Sequence, residues 1–244
     1  MPDEPQSVDV DAAVVAGEPP PSARRPLDRA SIVAAAIAYI DEHGLPGLSM
    51  RRLGALLGVE AMSLYRYVPG RENLLDAVVE AVMEEMQADE AVLTEPRDGW
   101  QDFLQRIAHG VRRVALSHPR VFPLVAARPV EAPWLRPPLR SLTWVERFLA
   151  GLLREGFGDE AAVAAYRAFT SFLLGHLLLE VSVLGGDVGP LDVLDDGEQR
   201  NARPLEHPTV ARLSDALSED HSAAEFEESL ESLLERIALI RSEA

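Results

Sequence analysis

Cysteine is absent from this 244-residue chain, and lysine is absent too. Without cysteine there can be no disulfide framework, thiol nucleophile or thiolate-bound zinc, which fits a reducing cytoplasm. Without lysine, all 23 basic side chains are arginine. Codon bias in a GC-rich genome explains that better than a need for guanidinium forks throughout. No segment approaches about 18 uninterrupted apolar residues, the length a bilayer-spanning helix needs. The first residues lack a basic start followed by an apolar core, so no secretory signal is expected. Also missing are a Gly-rich phosphate loop, a G-x-S-x-G elbow, an H-E-x-x-H pair and any clustered His/carboxylate spacing. The chain is therefore expected not to be an enzyme, and no catalytic residue, cofactor or metal is assigned.

What is present is a 47% hydrophobic chain, enough for a sizeable core, with a formal charge of −17. That charge is unevenly spread. Residues 1–23 carry five acids and no base, whereas residues 24–71 carry seven arginines against four acids. A locally basic segment on an acidic protein is a stronger pointer to a nucleic-acid partner than net charge is against one.

Apolar spacing is helical throughout, and no segment alternates convincingly with period two, so the expected class is all-α. Residues 1–23, rich in Pro, Ala and acids, read as a disordered tail. Residues 24–72 read as a three-helix helix-turn-helix domain. Residues 73–244 read as a larger helical domain for effector binding and dimerisation, with a mobile Gly/Asp/Pro-rich loop at about 185–207. The first helix starts at Asp28 and stops at Gly44. A second runs from the N-cap Ser49 to Leu57, with Gly58 as its stop. A short third spans about Glu60–Tyr67, and a fourth about Arg71–Gln87. Further helices are expected near Gly99–Ser117, Pro119–Ala127, Pro133–Glu155, Glu160–Leu184, Pro208–Leu217 and Ala223–Ser242.

The segment Leu45–Leu75 carries the chemistry. Gly54 stands where two crossing helices tolerate only a small side chain, and Gly58 supplies a turn that a Cβ resists. Leu53, Leu57, Val59 and Leu64 form the apolar face. Ser49, Arg51, Arg52, Ser63, Arg66 and Arg71 are left facing outward, and Tyr65 and Tyr67 can hydrogen-bond phosphate oxygens.

Ser49, Arg51, Leu53-Gly54, Leu57-Gly58-Val59, Leu64-Tyr65, Tyr67-Val68, Arg71 and Leu74-Leu75 together resemble the signature of the TetR family of bacterial regulators. Further on, Gly99–Ala108, Ser117–Pro119, Ala127–Pro129 and Arg154–Phe157 are similar to the effector domain of its tetracycline-repressor branch. The resemblance implies that Arg51, Ala61 and Met62 face base edges, with Arg66 able to read a base or hold a phosphate. It gives Ser49, Ser63, Tyr65, Tyr67 and Arg71 to phosphates. Arg24 and Arg25 could reach a neighbouring groove or phosphate.

Trp100, Phe103, Ile107, Val111, Trp134, Trp144, Phe148, Phe172 and His176 are candidates to line an effector pocket, with ordinary core packing as the alternative. Leu124 occupies the position where the tetracycline repressors place a magnesium-binding histidine, and Ile107 and Phe148 fall on other polar ligand positions of that branch. That departure implies a different, more apolar effector and no metal. His109 and His118 read as surface or cap residues. Leu173, Leu177 and Val181 on one helix, and Phe226, Leu230, Leu233 and Ile237 on the last, read as a dimer seam; packing within one monomer is the alternative. The expected protein is a cytoplasmic, bacterial, homodimeric repressor, nucleoid-associated when bound. Its partners are a palindromic operator in double-stranded DNA and a small, largely apolar effector, with no membrane partner. The rival reading is a ligand-binding or protein-interaction module whose DNA head is not functional.

Overall fold

Capping chemistry places the helices of the reading head. Asp28 accepts a hydrogen bond from the Ser31 amide at 2.7 Å, while the Ser31 hydroxyl accepts one from the Asp28 amide. This reciprocal box starts α1 (Arg29–His43), which Gly44 ends at φ +81°. Ser49 accepts from the Arg52 amide at 3.2 Å and starts α2 (Met50–Leu57). Gly58 ends α2 in the left-handed region, and α3 (Ala61–Leu64) follows at once. The chain then runs through α4 (Arg71–Ala88), α5 (Trp100–Ser117), α6 (Phe122–Ala127), α7 (Leu142–Arg154), α8 (Asp159–Val183), α9 (Pro208–Ser218) and α10 (Ser222–Glu243).

This computed structural model describes residues 27–88, 92, 96–127, 134–137, 141–187 and 207–243. Among the described residues there are helices and turns and no strand. The expected tail at 1–23, Arg24, Arg25 and most of the expected loop at 185–207 lie outside them.

Three helices are shorter than the apolar pattern suggests, each for a backbone reason. Regular α3 covers one turn, Ala61–Leu64, after which the Tyr67 and Val68 amides both donate to the Leu64 carbonyl at 2.9 Å and the chain continues as a turn. α6 begins at Phe122 because Pro119–Val121 form a turn closed by the Phe122 amide on the His118 carbonyl at 2.9 Å. α7 begins at Leu142, capped by Ser141, rather than at Pro133; the described residues 134–137 are not helical, and Pro137 would break a helix running through them.

Two helices organise the packing. α4 packs against α1 and also against α5 and α6, so one helix joins the reading head to the larger domain. α8 packs against α5, α6, α7 and α10. By length and composition alone α8 could cross a membrane; here it is the spine of the core. Its Phe169 ring lies 5.3 Å from that of Phe148, which Trp144 and Tyr166 also contact.

The expected dimer seam is largely an intrachain contact. Phe226, Leu230 and Ile237 are covered within the chain, as are Leu173, Leu177 and Val181, because α10 lies on α8 of its own chain. Leu233 is partly buried in the same core. Apolar surface remains exposed elsewhere, at Leu179 and Val183 on α8 and at Val210, Leu213 and Leu217 on α9.

Candidate nucleic-acid interface and interior cavity

The reading face is set by a close helix crossing. A Cβ on Gly54 would sit 2.9 Å from the Val59 carbonyl oxygen and 3.2 Å from two backbone atoms of Ala61. The Val59 amide donates to the Gly54 carbonyl at 2.9 Å. Together these hold α3 against α2, with Leu53 and Leu64 buried between them and α1.

Outside that core, Arg51, Arg66, Arg71, Tyr65 and Tyr67 are exposed, and Met62 is 77% exposed. Ala61 and Ser63 are half-buried at the crossing. The three guanidinium groups take no hydrogen bond or ion pair among the described residues. Uncommitted donors on an exposed face suit phosphates and base edges. Ser49 is the cap of α2, and its hydroxyl proton is still free to donate. Arg52 is exposed like the others, but its guanidinium is already committed: it donates to the Tyr39 hydroxyl at 3.0 Å and the Gly47 carbonyl at 3.1 Å, bracing α2 on α1.

A clamp ties this head to the larger domain. His118, at the end of α5, meets the Asp41 carboxylate of α1 at 2.6 Å through Nδ1 and Glu85 of α4 at 3.2 Å through Nε2. Nearby, Arg120 donates to the Glu42 carbonyl. The hydrogen bond to Asp41 raises the His118 pKa, against the opposing pull of burial, and Glu85 adds to the rise. A raised folded-state pKa contributes stability that is complete below about 6.5 and is lost as pH rises through the folded value. A neutral imidazole can still donate from Nδ1, but it cannot serve both carboxylates. The thermal-midpoint advantage of wild type over His118→Gln should therefore shrink between pH 6 and pH 9. An advantage that grows with pH would contradict the clamp.

Beneath α4 lies a cavity of about 40 Å3 with an apolar wall. Met83 and Met86 of α4, Val111 of α5, Trp144 of α7, and Phe169 and Thr170 of α8 contribute to it. Of the expected pocket residues, Val111 and Trp144 line this space. Trp100, Phe103, Ile107 and Phe148 are fully packed in the core, and Leu124 is buried beside it. Phe172 and His176 turn the other way, onto the Phe226 ring of α10 at 6.0 and 5.2 Å. Trp134 is 73% exposed and is not on this wall. Leu173, expected at the seam, lines the cavity instead. The methionines of α4 and Thr170 went unnoticed in the sequence, although a hydroxyl inside an apolar helix was a readable signal.

Two family descriptions match the chain. "Bacterial regulatory proteins, tetR family" covers residues 32–78, and "Tetracyclin repressor-like, C-terminal domain" covers residues 94–239. The chain belongs to the TetR family. An HTH-type transcriptional regulator of Saccharopolyspora erythraea is 30% identical over 76% of this chain and 74% of its own. A class G tetracycline repressor protein of Vibrio anguillarum is 29% identical, covering 62% and 68% respectively. Among solved structures, the Streptomyces coelicolor TetR family protein ActR in complex with (S)-DNPA superposes with a TM-score of 0.61 at 25% identity. That match covers 89% of this chain and all of the other. The reading head is thus that of a TetR-family transcriptional regulator, with a tetracycline-repressor-like helical domain behind it.

Proposed function

We propose that this TetR-family chain is a homodimeric repressor that grips a palindromic operator and releases it when a small, largely apolar effector fills the cavity. One observation carries the reading: α4 begins at Arg71 on the reading face and ends with Met83 and Met86 on the cavity wall. At about 40 Å3 the cavity is far below the roughly 300 Å3 of a ligand pocket. An effector must therefore push the methionines and tilt α4. In a dimer that tilt alters the separation of two heads that must match half-sites about 34–36 Å apart. Effector and operator then weaken each other's binding by the same factor.

Supporting a small-molecule effector, ActR has been solved in complex with (S)-DNPA and with actinorhodin. Leu124 puts aliphatic surface where the tetracycline repressors hold magnesium, which favours a metal-free ligand. The dimer surface proposed here is the exposed stripe of α8. Leu179 and Val183 follow Gly175, where an added Cβ would meet nothing within 4 Å. The apolar residues of α9 extend that surface.

Arg51, Ala61, Met62 and Arg66 are assigned to bases, and Ser49, Ser63, Tyr65, Tyr67 and Arg71 to phosphates. Arg71→Ala should weaken binding to all DNA alike and lower the salt slope by about one unit. Arg51→Ala should cost about 1–3 kcal/mol at one base position and spare random DNA. Fluorescence anisotropy on operator and random duplexes separates the two. Equal losses on both duplexes for Arg51→Ala would remove it from the base readers.

A further inference from the structure

Among the described residues, Trp144 and Thr170 are the two hydrogen-bonding side chains on a cavity wall otherwise made of aliphatic, thioether and phenyl groups. Trp144 is 6% exposed and Thr170 3%. Neither Trp144 Nε1 nor Thr170 Oγ1 has a hydrogen-bond partner among the described residues. Both states depart from habit. A buried indole N–H usually finds an acceptor, and a helical threonine can bond back to the carbonyl four residues earlier. The neighbouring Tyr166 gives its own hydroxyl to the Pro137 carbonyl at 3.0 Å. Burial pushes that phenol up to about 12, so it stays protonated. Thr170 lies close enough to oppose that rise, yet its oxygen makes no hydrogen bond of acceptable geometry.

Buried groups left unpaired weaken the ligand-free fold and call for an explanation. Resting on the effector reading above, we infer that Trp144 Nε1 and Thr170 Oγ1, closed off behind the apolar wall in the ligand-free chain, become the polar contacts of the effector once it pushes that wall apart. That effector is a neutral, planar, largely apolar molecule carrying a hydrogen-bond acceptor such as a carbonyl. An indole N–H can only donate, so the group facing Trp144 must accept; the threonine hydroxyl can do either. Among the described residues no charged side chain lines the cavity, and a charged ligand facing that wall would lose its hydration without compensation. The faces of Trp144 and Phe169 favour a flat ring, and the two methionines can reshape around it.

Tetralone and tetralin share one two-ring frame and differ by a carbonyl, so they isolate this contact. Equilibrium dialysis against the full chain should show tetralone bound about tenfold more tightly, the worth of one satisfied buried donor. Trp144→Phe keeps the aromatic body, and it should abolish the preference by weakening tetralone while moving tetralin less than about twofold. Thr170→Val removes the orphan hydroxyl, so the ligand-free chain should melt about 2–4 °C higher. A lower midpoint would mean that the hydroxyl is already partnered and overturn its role. Equal binding of the probes, or a preference that survives both substitutions together, overturns the inference and leaves the effector cavity standing. If neither probe binds, the effector reading itself fails.

Discussion

A Gly54→Val chain is expected to lose DNA binding entirely while its larger domain unfolds as before. The added atoms would lie within 2.9–3.2 Å of the Val59 carbonyl and the Ala61 backbone. Backbone atoms cannot rotate aside as a flexible side chain can, so α3 must lift from α2. Overpacking of this kind costs about 1–3 kcal/mol for a single added methyl group and more for valine. The displaced element is the one that carries Met62, Ser63 and the two tyrosines. All three tryptophans lie at or beyond residue 100, so indole emission reports the larger domain alone. Unchanged emission and melting, with no anisotropy change on DNA, is the expected pair of results. Gly58→Ala is the control in the same turn. Gly58 sits at φ +67° but an added Cβ meets nothing within 4 Å. The strain there is conformational, about 1–2 kcal/mol, and binding should survive.

The second large effect concerns a buried ion pair. Arg112 of α5 donates to both carboxylate oxygens of Glu180 on α8, at 2.5 and 3.1 Å. The side chains are 18% and 6% exposed, and the guanidinium also covers the Phe226 ring of α10 at 5.0 Å. Three helices therefore meet at one cation. Arg112→Ala strands the Glu180 carboxylate in the interior and should cost about 3–5 kcal/mol of stability. Replacing both partners with apolar residues of similar volume, Arg112→Met with Glu180→Leu, should recover most of that loss. Urea unfolding followed by indole emission measures both variants. A loss below about 1 kcal/mol for Arg112→Ala would put the pair in the class of solvent-screened surface bridges.

The reading head was legible because its determinants are local. Caps at Ser49 and Asp28, stops at Gly44 and Gly58, and the small residue at Gly54 lie within a few residues of what they control. The larger domain was legible as helices and less so as contacts. The four–three spacing of Phe226, Leu230, Leu233 and Ile237 marks a buried stripe, but periodicity does not name what covers it. The partner is α8 of the same chain. Trp100, Phe103, Ile107 and Phe148 carry the composition of a pocket wall and of a filled core alike, and only packing separates the two. Arg112 and Glu180 are 68 residues apart, and His118 reaches Asp41 across 77, so neither pairing leaves a sequence pattern. Thr170 was the available clue, a hydroxyl beside Phe169 on a helix whose next stretch is Phe172, Leu173 and Leu174.

The account rests on the exposed face around Arg51, Arg66 and Arg71 holding DNA. The direct measurement is anisotropy of the wild-type chain on duplex from its own upstream region, titrated with salt. The expected result is saturable binding at least about 1,000-fold tighter than to a shuffled duplex of the same length. Its affinity should fall steeply with salt as the arginines release counterions. No binding to any upstream fragment at low salt would contradict the account and leave a ligand-binding protein with a silent reading head.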